Sequence, residues 1–179
     1  MSERMNIEYH ISEEELDPHD ITGGIQFSIN GNRINEFYNE DTYEPFFDWE
    51  PQYVGEYLHT DFKRLIDRTR EIAAGEAGLY DQRKVQFDPN TIYLILEPVG
   101  PQHIRVAYRN QVSDDVPLTA PKTACGYVVD RRDFCQAVSE SAHEYVEDLQ
   151  SMPLEWGMEL LNEFEVALAD LDTAIENLE

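Results

Sequence analysis

The stretch that decides the fold reads Thr91-Ile-Tyr-Leu-Ile-Leu-Glu97, then Pro98-Val-Gly-Pro-Gln102, then His103-Ile-Arg-Val-Ala-Tyr-Arg109. Both outer runs are rich in β-branched and aromatic residues, and a Pro/Gly cluster separates them, which predicts a β-hairpin. The first run is apolar on nearly both faces, as is typical of an inner strand, whereas the second is half polar. We therefore expect a sheet with this hairpin near its centre and helices covering it.

Other short apolar runs predict further strands on both sides of the hairpin. We place them at 6–11, 25–29, 84–87 and 125–130. Between the first two, we interpret 13–20 as an acidic loop or a short exposed turn, and Gly23-Gly24 as a break. Asn30-Gly31 is a strong signal for a tight turn. The segment 76–81 is interpreted as a linker.

Helical spacing of apolar residues predicts three helices, at about 51–74, 131–152 and 153–178. Asp130 is positioned to cap the second helix. The fold class is therefore predicted to be α+β: a mostly antiparallel sheet covered by helices, with a long acidic C-terminal helix. We divide the chain into an α+β domain at 1–152 and a C-terminal amphipathic helix at 153–179.

The C-terminal helix carries an apolar seam with coiled-coil-like spacing. Its residues are Leu161, Phe164, Leu168, Leu171, Ile175 and Leu178. This pattern favours a helix docked on its own domain. Assembly of a homodimer, or docking of a partner, through the seam is the alternative.

The charge is strongly negative: 37 acidic residues stand against 13 basic ones, for a net charge of −24. Only three of the bases are lysines, namely Lys63, Lys84 and Lys122. High salt screens self-repulsion to within about 3 Å, so a protein in molar salt tolerates such a surface. The composition resembles that of cytoplasmic proteins from halophilic archaea. Nucleic-acid binding is disfavoured because phosphates require a basic stripe.

The location expected from the sequence is the cytoplasm. The first residues contain no apolar signal region, and no apolar run reaches the length of a membrane span. Cys125 and Cys135 form no CxxC pair, so we expect free thiols, with Cys135 in a packing role.

The charge is divided unevenly along the chain. From Asp133 to Glu179 there are thirteen acids and no Lys or Arg. If the chain has a face that docks a basic protein partner, this region is our first candidate for it. A solvated halophilic surface is the favoured interpretation of the same pattern. Arg105 and Arg109 are expected to anchor the acidic helices onto the sheet.

One segment resembles a metal site. Glu140, His143 and Glu144 lie on one stretch of the second helix, and the Glu-x-x-His spacing occurs in di-iron bundles. No second copy of the motif exists, so a solvated helix face is favoured, and we expect no metal and no cofactor. A metal-dependent enzyme using these three residues is the least favoured alternative.

An aromatic and acidic segment precedes the first helix. The candidate partner-binding residues in it are Tyr43, Phe46, Phe47, Trp49 and Tyr53. Aromatic side chains flanked by acids suit a protein-binding patch, and they also suit a loop that plugs the edge of the sheet.

The order of these elements resembles small α+β immunity-type domains, which neutralise toxins by binding them. The resemblance covers 25–149 and rests on Gly24-Ile-Gln-Phe-Ser-Ile-Asn-Gly31, on Phe46-Phe-Asp-Trp49 leading into a helix, and on the apolar strands. The resemblance implies a non-enzymatic protein that binds a protein partner. A homo-oligomeric scaffold assembled through the C-terminal seam is the alternative.

Overall fold

The computed structural model describes residues 4–17, 20–35, 37–38, 57–87, 92–110, 118–119, 125–152 and 158–178. Its fold is α+β with antiparallel sheets, which confirms the predicted class. The strands are β1 (Met5–Asp17), β2 (Asp20–Ile29), β3 (Asn32–Arg33), β4 (Phe37–Tyr38), β5 (Arg83–Phe87), β6 (Ile92–Pro98), β7 (His103–Asn110), β8 (Leu118–Thr119) and β9 (Tyr127–Asp130). The helices are α1 (Leu58–Ala73), α2 (Arg131–Ser151) and α3 (Met158–Glu176).

The predicted hairpin forms the centre of a four-stranded sheet with the order β5-β6-β7-β9. Leu94 pairs with Tyr108 and Leu96 pairs with Val106, and all four side chains are fully buried. Apolar residues at alternate positions therefore form one continuous inner face of the sheet. The prediction of a central hairpin is confirmed.

A second sheet contains β1, β2 and β3, and here part of the prediction was wrong. The region interpreted as an acidic loop continues β1 to Asp17, and β2 already begins at Asp20. Gly23 does not break the strand but pairs with Ile11 inside it. A Cβ atom on Gly23 would lie 2.0 Å from the carbonyl oxygen of His10, so glycine allows the two backbones to approach closely.

The Asn30-Gly31 turn joins β2 to β3 as predicted. Both residues have positive φ angles, 52° and 77°, which the tight hairpin turn requires. The turn pairs Ile29 with Asn32. It thereby fixes the register of the strand that carries the buried Phe27.

Helix α1 lies at the middle of the fold, where it contacts β2, β5, α2 and α3. Its buried side chains include Phe62, which stacks on Tyr145 of α2 at 5.1 Å between ring centroids. Phe164 of α3 and Tyr9 of β1 meet the same two rings. This aromatic cluster joins the helices to the three-stranded sheet.

Helices α2 and α3 complete the described structure. Asp130 caps α2 as predicted, because its carboxylate accepts a hydrogen bond of 3.0 Å from the backbone N–H of Asp133. Ser139 in the first half of α2 contacts Asp172 late in α3, while Gln150 at the end of α2 contacts Glu165, so the two helices are antiparallel. No helix among the described residues is long and apolar enough to cross a bilayer.

Candidate acidic docking face

Two neighbouring rows of carboxylates lie on α2 and α3, and we call them together the acidic face. Its residues are Glu140, Glu144, Glu147 and Asp148 of α2 and Glu165, Asp172 and Glu176 of α3. Each of them is exposed or half-buried. Among the residues that the structure describes, none of these seven carboxylates forms an ion pair with a Lys or Arg. The face is therefore a surface of uncompensated negative charge.

Neutral and histidine side chains connect the two rows. The carboxylate of Asp172 accepts a hydrogen bond of 2.5 Å from the Ser139 hydroxyl and lies 2.8 Å from Nε2 of His143. The side-chain amide of Gln150 donates to Glu165 at 3.0 Å. These contacts hold α3 against α2, so the spacing between the acidic rows is fixed by the fold.

Arg132, the last Lys or Arg in the sequence, binds the C-terminal end of α3. The guanidinium of Arg132 donates hydrogen bonds to the backbone carbonyls of Ile175, at 3.3 Å, and of Leu178. A cation at a helix C-terminus also complements the negative end of the helix dipole. Arg132 thus holds α3 through its backbone and leaves the carboxylates of the face uncompensated.

Tyr9 of β1 contacts a carboxylate of the acidic face. Its hydroxyl donates a hydrogen bond of 2.5 Å to the carboxylate of Asp148. Burial, this hydrogen bond and the charges of Asp148, Glu144 and Glu147 all raise the pKa of Tyr9. The hydroxyl therefore remains a donor throughout the ordinary pH range.

The surface formed by α1, the loop after it and β5 has the contrary arrangement, because acids on it are paired with cations. Arg70 donates two hydrogen bonds to Glu76, at 2.7 and 3.0 Å, and Glu71 bridges Arg68 and Arg83. Arg68, Arg70 and Arg83 are thus each paired with a carboxylate on this surface. The contrast between a paired and an unpaired surface is a property of the fold, and composition alone does not reveal it.

The prediction that Arg105 anchors the acidic helices was wrong. Its guanidinium forms an ion pair with Glu97 on the adjacent strand, at 2.6 Å. In an antiparallel pair, directly opposite residues have adjacent side chains. The register therefore directs Arg105 along the sheet towards Glu97.

The candidate metal residues do not converge. Glu140, His143 and Glu144 are all exposed on α2, and His143 contacts Asp172 of α3. Among the described residues, no three His, Cys, Asp or Glu side chains lie close enough to hold a metal ion.

Sequence reasoning had no signal for the placement of His59. This histidine is 6% exposed in the aromatic cluster, and its Nδ1 lies 3.2 Å from the Tyr145 hydroxyl. An isolated histidine in the sequence does not indicate such a position.

The remaining candidate residues fall into two groups. Tyr43, Phe46, Phe47, Trp49 and Tyr53 lie outside the described residues. Of the seam, Phe164, Leu168, Leu171, Ile175 and Leu178 are buried in the protein's own core, and Leu161 packs against it. A dimer through the seam would require α3 to leave its place on α1 and α2.

Comparisons with protein-family models, with curated proteins and with solved structures find no match to this chain. The resemblance to immunity-type domains therefore stays a prediction from the order of elements.

Proposed function

We propose that this chain is a non-enzymatic binding protein of a halophilic cytoplasm that captures a basic protein partner through the acidic face. An immunity-type inhibitor of a toxin is the most specific form of this proposal. The proposal rests on the seven carboxylates of the acidic face, which lie on two helices held together by side-chain hydrogen bonds. None of these carboxylates has a Lys or Arg partner among the described residues.

The physical argument concerns what such a surface favours. Neighbouring carboxylates repel each other, and a partner that brings Arg or Lys into contact relieves the repulsion. In molar salt the Debye length is about 3 Å, so only charges in direct contact contribute. A pre-positioned double row of carboxylates is suited to such contacts because its spacing needs no rearrangement on binding.

A partner encoded beside this chain provides the test. The two proteins are co-expressed and purified in molar salt, and the dissociation constant is measured by calorimetry. We expect Glu144→Lys on the acidic face to weaken binding by about tenfold or more, because it places like charges in contact.

The matched control is Glu8→Lys on β1, an exposed acid outside the acidic face. It changes the net charge by the same amount and is expected to leave the affinity within about twofold, since surface charges away from a contact contribute little. Equal weakening by both variants would contradict docking on α2 and α3. An affinity unaffected by either variant would do so as well.

A further inference from the structure

The loop after α1 exposes two large hydrophobic residues side by side. Leu79 is 60% exposed and Tyr80 is 65% exposed. Other large exposed hydrophobic residues among those described stand singly, for example Val128 on β9 and Val166 on α3. Isolated exposed hydrophobic residues are ordinary on protein surfaces, whereas here two large ones follow each other in the chain, and we call them the Leu79–Tyr80 patch.

The backbone holds this patch in place at an energetic cost. Tyr80 has a φ angle of +64°, a conformation that costs a bulky residue about 1 kcal/mol. Its N–H donates a hydrogen bond of 2.7 Å to the carbonyl of Pro98, at the end of β6. The N–H of Asp81 donates to the carbonyl of Gly78 at 3.0 Å. Strained residues that the surrounding structure fixes in this way cluster at functional positions.

The charges around the patch are balanced. Glu76 before it is held by two hydrogen bonds from Arg70, and Asp81 after it pairs with Arg83 at 2.8 Å. Arg83 also donates to the backbone carbonyl of Glu76 at 3.2 Å. These contacts tie the loop to α1 and β5, and the acids beside Tyr80 are paired, unlike those of the acidic face.

We propose that the Leu79–Tyr80 patch is the contact through which a second copy of this chain binds, as a two-fold symmetric dimer. Each chain carries a net charge of −24. In molar salt only charges in direct contact repel, so a second copy is disfavoured wherever unpaired carboxylates of the two copies would meet. A contact at this loop avoids that repulsion, because the acids beside Leu79 and Tyr80 are paired. A two-fold contact brings the same patch of both copies together, which suits a self-complementary apolar pair.

The chemistry of the Leu79 and Tyr80 side chains suits contact with a second copy of the chain. Tyrosine is enriched among the residues that dominate interface energies, and a loop already tied to α1 and β5 loses little entropy on binding. The dimer uses neither the acidic face nor the buried seam of α3. It would therefore present two acidic faces, one from each copy.

The test measures mass by light scattering in molar salt over a roughly hundredfold range of concentration, because dimerisation depends on concentration. The wild type is expected to be a dimer at the upper end of that range. Tyr80→Asn is expected to raise the dissociation constant at least about tenfold. In dilute solution, where both proteins are monomeric, its melting temperature should be unchanged or higher than that of the wild type, since asparagine tolerates a positive φ better than tyrosine does.

Two further variants complete the experiment. Val166→Asn removes an equally exposed hydrophobic residue from α3 and should leave the dimer intact, while Leu79→Asn should weaken it without the change in backbone preference. A wild type that stays monomeric overturns the proposal. So does a dimer that survives both loop variants, or one that Val166→Asn weakens as much as they do.

Discussion

Glu97 and Arg105 face each other across the central hairpin and form an ion pair of 2.6 Å. The Glu97 side chain is 7% exposed, and its carboxylate also accepts a hydrogen bond of 2.8 Å from Gln82. Burial by itself would raise the pKa of Glu97, but the hydrogen bonds from Arg105 and Gln82 outweigh it and hold the pKa below its usual value. The pair therefore couples the stability of the sheet to pH.

Glu97→Gln should lower the free energy of unfolding by about 1 kcal/mol near neutral pH, since Arg105 remains one-third exposed to water. A group whose folded pKa is depressed stabilises the fold above its unfolded pKa, about 4.3 for Glu, and this contribution is lost as the pH falls through the folded pKa. The difference between wild type and variant in urea unfolding should therefore shrink as the solution is acidified. The control for the loss of one negative charge is Glu8→Gln, at an exposed acid on β1 that forms no ion pair with a Lys or Arg among the described residues. A difference that does not change with pH would contradict the argument.

The sequence predicts well those parts of the fold whose residue pattern has only one structural explanation. Alternating apolar residues on both sides of a Pro/Gly cluster identified the hairpin, and Asn30-Gly31 has few uses other than a tight turn. The cap at Asp130 likewise follows from residue type and position.

Other patterns have two physical causes, and the sequence does not choose between them. Gly23-Gly24 is interpreted from the sequence as a break, but a glycine also permits a close backbone approach, and only the pairing of Gly23 with Ile11, beside the His10 carbonyl, decides between the two. The exposure of Tyr80 depends on a φ angle that no residue type signals. The contrast between paired and unpaired acids requires knowing which helices neighbour the cations.

Gly23→Ala should destabilise the fold by about 2 kcal/mol or more, because the added methyl group would lie 2.0 Å from the His10 carbonyl oxygen, and backbone has to move. Gly78→Ala is the matched control, since a Cβ atom there meets nothing within 4 Å. It should be neutral or stabilise by about 0.5 kcal/mol, through the lower entropy of the unfolded chain. Similar unfolding curves for the two variants would show that β1 and β2 are not so close at this point.

Leu171→Ala in α3 tests whether the seam belongs to the core of one chain. Leu171 is fully buried, so the variant should lose about 3 kcal/mol of stability through the lost contacts and the cavity. Val166→Ala on the exposed side of the same helix should change the free energy of unfolding by less than about 0.5 kcal/mol. If the seam instead joined two copies, Leu171→Ala would yield a dissociated monomer whose stability in dilute solution is almost unchanged.

The two cysteines should differ sharply in reactivity. Cys125 is exposed, whereas Cys135 is fully buried, and burial raises the pKa of its thiol to about 12. A maleimide at neutral pH should modify one thiol of the folded protein and the second only in urea. Cys125→Ser should abolish the reaction of the folded protein. Rapid labelling of that variant would show that Cys135 is accessible, contrary to its placement in the core.

The stability of the fold should depend on the salt concentration and on which acidic residues are replaced. At about 0.1 M salt the Debye length is about 10 Å, so the unpaired carboxylates of the acidic face repel one another, and circular dichroism should show loss of structure that molar salt restores. Replacing Glu140, Glu144 and Glu147 by Gln should lower the salt concentration needed for folding, because it removes only repulsion.

A second triple variant separates local repulsion from net charge. Asp67→Asn, Glu76→Gln and Asp81→Asn change the net charge by the same three units, but each removes a partner from a cation on α1 or β5. These substitutions remove attraction between α1, the loop after it and β5, so the salt concentration needed for folding should stay the same or rise. If both triple variants lower the salt concentration needed for folding by the same amount, net charge alone governs the salt response. The unpaired carboxylates of the acidic face then contribute no more than any other acid. A wild-type spectrum that is unchanged at about 0.1 M salt would remove the salt requirement itself, and with it the halophilic interpretation of the composition.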